Sequence, residues 1–296
     1  FMINKFEKKT RATFHKIHLK QISNKSSFSK VATLYNLKNL KLSKDYFKNK
    51  VCADLGCGST GAGAYNLFQL GVEFVHLLDL DKSIEVPLKK KLKKFSKKIK
   101  VHIGSLEKTS FPDNYFDFIL CQGVIHHARN PKQCLREIKR ILKPKGKCLL
   151  LVNGKGGLIT NFVDNVLRPQ YKKNKEIKKF VDSVIFNKLS THKKFYMKNS
   201  SKDSKKIINF LNKYIDEDLF LTMQDRVLAP KYESFDYEKL LSFLNKIGFI
   251  NIYRISKRVK FKNLRQLLSP FYYFYDHSIS KALYGDGNIT LMITKK

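Results

Sequence analysis

The sequence predicts an α/β protein, a mostly parallel sheet with helices on both faces and a helical insertion late in the chain. Three observations predict it. Between residues 51 and 152, short apolar runs of strand length alternate with helix-length segments, the βαβ pattern of a parallel sheet. The runs are apolar throughout, as strands covered on both faces are. The first run ends in a glycine-rich turn, VCADLGCGSTGAG over Val51 to Gly63, with Gly56, Gly58 and Gly61 just ahead of a helix. Glycine accepts positive φ and lets a ligand approach with no Cβ between.

Residues 2–50 form a Lys-rich N-terminal helical segment. The spacing of Phe28, Val31, Leu34 and Tyr35 is helical, and Phe14 and Ile17 add apolar positions. One or two amphipathic helices are expected there, packed on the sheet or covering a site. Phe1, ahead of Met2, is set aside. Residues 51–152 form the core. Strands are expected at 51–55, 74–80, 101–103, 115–121 and 147–152. Helices are expected from the glycine turn to about residue 70, at 83–98 and at 131–142, the last stopped by Lys143-Pro144-Lys145-Gly146. The alternation stops at Asn153. Residues 153–235 read as a helical insertion lying over an acceptor, with segments at 158–167, 176–189, 204–215 and 219–228. Residues 236–296 return to the core sheet with a helix at 235–247 and strands at 249–255 and 288–294. An aromatic-rich insertion, 264–284, lies between those strands.

In a parallel sheet, ligands sit at the carboxyl ends of the strands near the switch point. Asp54, the glycine turn, Asp79, Ser105 and Cys121 all fall at such ends and so converge on one crevice. GxGxxG alone fits a dinucleotide as well as other adenosine cofactors. A carboxylate at Asp54 repels a pyrophosphate and attracts a cation. Asp79, 25 residues on, is placed for ribose hydroxyls.

The 296 residues carry a formal charge of +35, from 59 Lys and Arg against 24 Asp and Glu. Such a charge suits a polyanion partner. Only 9 of the 59 are Arg, though, and Arg is the residue of bidentate nucleic-acid contacts. The composition, rich in Lys, Asn, Ile and Phe, also fits codon bias with Lys as a solvated coat. The five cysteines (Cys52, Cys57, Cys121, Cys134, Cys148) have no metal-type pairing and read as small buried hydrophobes of a reducing compartment. No apolar run reaches membrane-span length and no secretory signal is visible, so a cytoplasmic location is expected.

One stretch carries a family resemblance. GSLEKTSFPDNYFDFILCQGVIHHARNPKQCLREIKRILKPKG, Gly104 to Gly146, resembles the class I S-adenosylmethionine-dependent methyltransferases of the small-molecule branch. The likeness covers about residues 50–152 and 236–296. It implies a Rossmann-like, seven-stranded sheet with an antiparallel last strand. It implies S-adenosyl-L-methionine as cofactor, S-adenosyl-L-homocysteine as product, and transfer by in-line displacement. It places Asp54, Gly56, Cys57 and Gly58 at the methionine moiety, and Asp79 at the ribose with Leu80 beside it and Asp81 as second choice. Ser105 and Leu106 fall at the adenine, and Cys121 and Gln122 near the amino-acid end. Ser105 stands where an acidic residue is common, and Lys145 replaces the first glycine of the Pro-Gly-Gly turn. Asp117 reads equally as a fold residue and as a functional one.

His127 and His126, following the fourth strand, are the candidate catalytic bases, with a structural role at the turn as the other reading. The acceptor is expected under residues 2–50, 153–235 and 261–287, with Tyr232, Tyr273 and Tyr284 as candidate contacts and Asp225 and Arg226 as further polar groups. The run Phe271–Tyr275 reads as a cation cage, an aromatic or lipid-like site, or core packing. No metal-ligand spacing is visible. A small-molecule acceptor is expected and a nucleic-acid partner disfavoured, because Cys121-Gln122-Gly123-Val124 lacks the Asn/Asp-Pro-Pro-aromatic pattern of base-amino methylation. The alternatives left standing are an RNA methyltransferase using the basic surface, a non-catalytic cofactor-binding partner protein and, last, an NAD-binding dehydrogenase.

Overall fold

A computed structural model of the chain describes residues 4–23, 28, 31–32, 35–182, 198, 201–203, 205–206, 224–255 and 277–296. Its centre is one sheet of seven strands: β1 (Val51–Leu55), β2 (Phe74–Asp79), β3 (Ile99–Ile103), β4 (Phe116–Gln122), β5 (Leu142–Asn153), β6 (Phe249–Arg254) and β7 (Asn288–Lys295). The order is β3-β2-β1-β4-β5-β7-β6. The first five strands are parallel, and β7 runs antiparallel between β5 and β6, with Leu150 opposite Leu291 and Ile250 opposite Thr294. The seven-stranded, mostly parallel architecture is as expected, and its switch point lies between β1 and β4.

Strand alternation supplies both faces of the sheet. Ala53, Leu55, Ile119, Cys121, Cys148, Leu150, Leu291 and Ile293 point one way. They pack on Leu135 and Ile138 of α5 and Leu240 and Leu244 of α9, helices bounded below. Their neighbours Cys52, Val75, Leu77, Phe118, Leu120, Leu149 and Met292 point the other way, onto Ala64 and Leu67 and onto Leu40, Phe47 and Leu88. This is why the strands read as unbroken apolar runs.

The helices are α1 (Lys5–Ser23), α2 (Leu37–Leu40), α3 (Ala62–Gln69), α4 (Glu85–Lys91), α5 (Pro131–Ile141), α6 (Leu158–Asn161), α7 (Arg168–Lys173), α8 (Lys175–Phe180), α9 (Tyr237–Lys246) and α10 (Ser278–Tyr284). A π-helical stretch, Phe162–Leu167, joins α6 to α7. Side-chain caps start several of them. Asn130 accepts from the Gln133 amide ahead of α5, where Pro131 needs no donor, and Asp236 accepts from the Lys239 amide at α9.

Two boundaries differ from the sequence expectation. The helix expected at 83–98 is broken. A 3₁₀ turn, Lys82–Ile84, precedes α4, and the chain leaves helical geometry at the buried Leu92 and tightens to 3₁₀ over Lys93–Lys98. Leu88 and Leu92 both pack against Gly61, and reaching β3 at Ile99 leaves no room for another α turn. β5 begins at Leu142, directly after α5, because Leu142 pairs with Phe116 across a register shift. Lys145, where the resembling family has glycine, takes φ +63°. Asp117 is a fold residue. It accepts from the Val51 amide (3.0 Å) and Lys143 Nζ (2.7 Å), tying the starts of β1 and β4 together. Burial alone would raise its pKa, and these bonds outweigh burial and hold it low.

The rest of the insertion and the aromatic run at 256–276, Tyr273 included, lie outside the described residues. No helix of the described residues is long and apolar enough to cross a membrane.

Candidate functional site

At the end of β1 the chain turns back under β2. The Gly56 and Cys57 amides both donate to the Leu78 carbonyl, at 2.7 and 3.1 Å. Asp79 closes the loop from the other side: Oδ2 accepts from the Gly58 amide and Oδ1 from the Asp81 amide, each at 3.0 Å. Gly56 sits at φ +77°, and a Cβ there would lie 2.2 Å from Val124 Cγ2. A Cβ on Gly63 would lie 2.6 Å from Asp54 Oδ2, so the first turn of α3 rides directly on that carboxylate. Asp54 is 4% exposed and its Oδ2 has no hydrogen-bond partner. Burial pushes its pKa up to about 7, with Asp79 adding to the rise and a bond from the Ala64 amide opposing it. The unpartnered Oδ2 leaves this buried carboxyl able to receive a cationic group.

These residues line one cavity of about 370 Å³ at the carboxyl ends of β1, β2 and β4. All the expected cofactor residues line it except Cys121: Asp54, Gly56, Cys57, Gly58, Asp79, Leu80, Ser105, Leu106 and Gln122. Cys121 is fully buried on the far side of β4 in the core cluster with Cys134 and Cys148, and burial raises its thiol pKa. Alternation decides the matter: the cavity takes the next residue, Gln122, which also donates to the Tyr35 hydroxyl. Ser105 is buried and its Oγ accepts from the Glu107 amide at 3.0 Å, so it shapes the turn. The acidic group at that corner is Glu107, which also accepts from the Asn130 amide at 2.9 Å. It stands two residues beyond Ser105.

The opposite wall is α1. Phe6, Thr10, Phe14 and Ile17 recur at helical spacing on one face and line the cavity. Asn4 and Glu7 cap the helix reciprocally: the Glu7 amide donates to Asn4 Oδ1 (2.9 Å) and the Asn4 amide to Glu7 Oε2 (3.1 Å). The helix is tied down at its middle. His15 Nδ1 lies 3.0 Å from Asp81 Oδ2 and 2.7 Å from Ser83 Oγ. Asp81 is buried, which alone would raise its pKa, but bonds from Ser83 and His15 outweigh burial and hold it low. Asp81 therefore holds the roof while also lining the cavity beside Asp79. The wall expected from the insertion does not come from α6, α7 or α8, none of whose residues lines the cavity. Phe14 and Ile17, and a covering role for residues 2–50, are as expected, and Phe6 and Thr10 complete a stripe that is faint among lysines.

The remaining end is built by a 3₁₀ turn, Ile125–His127, after β4. His127 is 6% exposed and lines the cavity together with Asp225. Its Nδ1 donates to the Lys231 carbonyl at 3.1 Å, and its Nε2 lies 3.0 Å from Asp225 Oδ1. Phe14 of α1 packs on its ring, centroids 4.7 Å apart. His126 is 1% exposed and does not line the cavity, and its Nε2 is 3.0 Å from Asn153 Nδ2. Burial, with the charges of His127 and Arg226, pushes its pKa well down and keeps it neutral. The Glu233 amide donates to the His126 carbonyl, so the 231–235 segment runs past the turn. Tyr232 stands beside both rings, 5.3 and 5.6 Å between centroids, without lining the cavity. Tyr284 is buried at the end of α10, against the Gly157 turn, and away from the cavity lining.

Residues 53–150, about a third of the chain, match the family described as a methyltransferase domain. The chain is 35% identical over 105 residues to an uncharacterized protein of Methanocaldococcus jannaschii, covering 35% of this chain and 47% of that one. It is 29% identical over 122 residues to phosphoethanolamine N-methyltransferase 2 of Caenorhabditis elegans, covering 41% of this chain and 28% of that one. It thus spans under half the length of either relative. The solved structure of a SAM-dependent methyltransferase from Aquifex aeolicus aligns at a TM-score of 0.40 and 23% identity, over 49% of this chain and 75% of that one. The family match begins inside β1 and ends inside β5, and so takes in the glycine turn, Asp79 and the His-His turn. Residues 53–150 are thus similar to a methyltransferase domain.

Proposed function

We propose that the chain transfers a methyl group from S-adenosylmethionine to a small-molecule acceptor held between α1 and His127. The observation that carries this is the continuity of the cavity, which runs from Asp54 and Asp79 at the strand ends to His127 and Asp225 under a helical roof. S-adenosylmethionine, when bound, supplies a methyl already activated on a sulfonium. The chain's part is then to position, to exclude water and to handle at most one proton. Positioning alone contributes roughly 7–11 kcal/mol in favourable cases.

Asp79 is assigned to the ribose hydroxyls and Asp54 to the cationic amino-acid end. Leu106 and Ser105 border the adenine, and Glu107 adds an acceptor at that corner. Gln122 follows at the end of β4. His127 is assigned to the acceptor end, because its ring lines the cavity there and its Nδ1 is committed to the Lys231 carbonyl. A cavity of about 370 Å³ roofed by one helix suits a small acceptor. A nucleobase would have to be extruded from its strand to enter it.

Calorimetry tests the cofactor half: S-adenosylhomocysteine is expected to bind at micromolar strength, and Asp79→Ala to weaken it roughly 10- to 100-fold, as losing a charged hydrogen bond does. Binding of NADH with no binding of either sulfur compound sinks the reading. A methyl-transfer screen over amines, phenols, thiols and carboxylates tests the acceptor half. Methylation of co-purifying RNA, with none of a small molecule, replaces the small-molecule assignment by the RNA one.

A further inference from the structure

We propose that His126, His127 and Asp225 form a binding site for a divalent transition-metal ion, zinc(II) being the first to test, at the acceptor end of the cavity. Each residue offers a ligand atom, and the three atoms lie within 4.8 Å of one another. His126 and His127 come from the 3₁₀ turn after β4, and Asp225 from far down the chain, so no sequence spacing announces the group. Each of the three also leaves a buried atom without a hydrogen-bond partner: His126 Nδ1, His127 Nε2 and Asp225 Oδ1. Three orphaned donors on neighbouring side chains call for a common partner.

The His127–Asp225 contact makes the case sharpest. A backbone carbonyl can only accept, so His127 Nδ1 carries the hydrogen that Lys231 receives, and Nε2 is the ring atom left to meet a ligand. Nε2 lies 3.0 Å from a carboxylate oxygen of Asp225, close but not aligned as a hydrogen bond. A proton or a metal cation between the two atoms turns that contact into an attraction. On His126, Nε2 meets the Asn153 amide at 3.0 Å. With that amide turned so that its oxygen accepts from Nε2–H, Nδ1 is bare, and Asn153 holds the ring in place as the outer partners of metal-bound histidines do.

Two imidazoles and one carboxylate are a donor set for zinc(II) or iron(II). Tetrahedral zinc at bond lengths of about 2.0–2.1 Å sets its donors about 3.3 Å apart, so small side-chain rotations close the site. Its remaining position would open to the cavity, since His127 and Asp225 both line it. The guanidiniums of Arg168 and Arg226 lie 5.8 and 5.9 Å from the Tyr232 ring, which itself stands against both histidines. Their charge limits the affinity, and a micromolar dissociation constant is expected.

The use of the metal rests on the methyl-transfer reading. An acceptor hydroxyl or thiol coordinated there loses its proton to water, its oxygen or sulfur forms the bond to the methyl carbon, and the methyl–sulfonium bond breaks with its electron pair left on sulfur.

Binding of the metal does not depend on that reading. The test is a titration of the tag-free, chelator-treated full chain with zinc(II) and cobalt(II), with no cofactor present. One equivalent is expected, with weak visible cobalt bands and none of the near-ultraviolet thiolate bands that the cysteines would give. Asp225→Asn and His126→Ala are each expected to weaken binding at least tenfold. If His126→Ala fails to fold by circular dichroism, Asp225→Asn decides. Absence of stoichiometric binding, unchanged affinity in the folded variants, or thiolate bands overturns the site. Loss of S-adenosylhomocysteine binding, measured separately, would instead count against the methyl-transfer reading.

Discussion

Asp54 is a carboxyl group kept where its charge is costly. With its pKa lifted from 3.8 to about 7, it is largely protonated in the empty cavity at mildly acid pH. A cationic ligand must draw the proton off, so affinity for S-adenosylhomocysteine is expected to fall as pH drops below about 7, by up to tenfold per unit. Asp54→Asn should flatten that dependence in a calorimetric pH series. The same shift acts on stability. Because the folded pKa is the higher one, the contribution of Asp54 is fully present below about pH 4 and is lost as pH rises through 7. The Asn variant without cofactor should therefore melt higher than the parent at pH 8 and no higher at pH 4. Gly56 shows the other residue-scale constraint. Its φ of +77° and the 2.2 Å approach to Val124 leave no place for a methyl group. Gly56→Ala is expected to cost about 1–3 kcal/mol in urea unfolding and to abolish cofactor binding.

At the scale of elements, α1 is held to the core by an apolar stripe and by polar ties at His15 and at the His18 carbonyl, which accepts from Ser59 Oγ. A 19-residue helix is near the length at which isolated helices are only marginally stable in water, so its order depends on docking. His15→Ala or Asp81→Ala should raise amide exchange in α1 while leaving β1 and β4 protected. Phe14→Ala should raise KM for the acceptor more than it weakens the cofactor, since Phe14 packs on His127. The tie also has a pH sense. Asp81 is held below its usual range, so its contribution is present above about pH 4 and is lost as pH falls through the folded value.

At the scale of the molecule, a formal charge of +35 makes self-repulsion a general force. Screening should raise the melting temperature as salt goes from low to physiological strength, whether or not the charge serves a partner. The sheet was legible in the sequence because its signals are local. Apolar runs, Gly71 and Pro131 mark the strands and helices, and Asp54 and Asp79 mark strand ends. The cavity was legible where strand ends alone define it. Cys121 and Gln122 were both expected at the ligand and only Gln122 lines the cavity, because which of two neighbours faces it depends on how β4 meets β1 and β5. It was not legible where the walls come from far away. α1 writes its buried stripe partly in threonine among lysines, and the His126–His127–Asp225 group exists only once the chain has folded back on itself.

α1 is tied at Asp81, two residues from the Asp79 carboxylate that braces the glycine turn. One helix is therefore a wall of the cavity whose position is coupled to the glycine turn. On the methyl-transfer reading, cofactor and product that exchange past α1 do so with the His15–Asp81 tie open. Turnover should then be paced by exchange, with a burst of product in the first cycle and a slower steady rate after it. Loosening the latch with His15→Ala should speed the steady phase and shrink the burst. A chemistry-limited enzyme would show neither change.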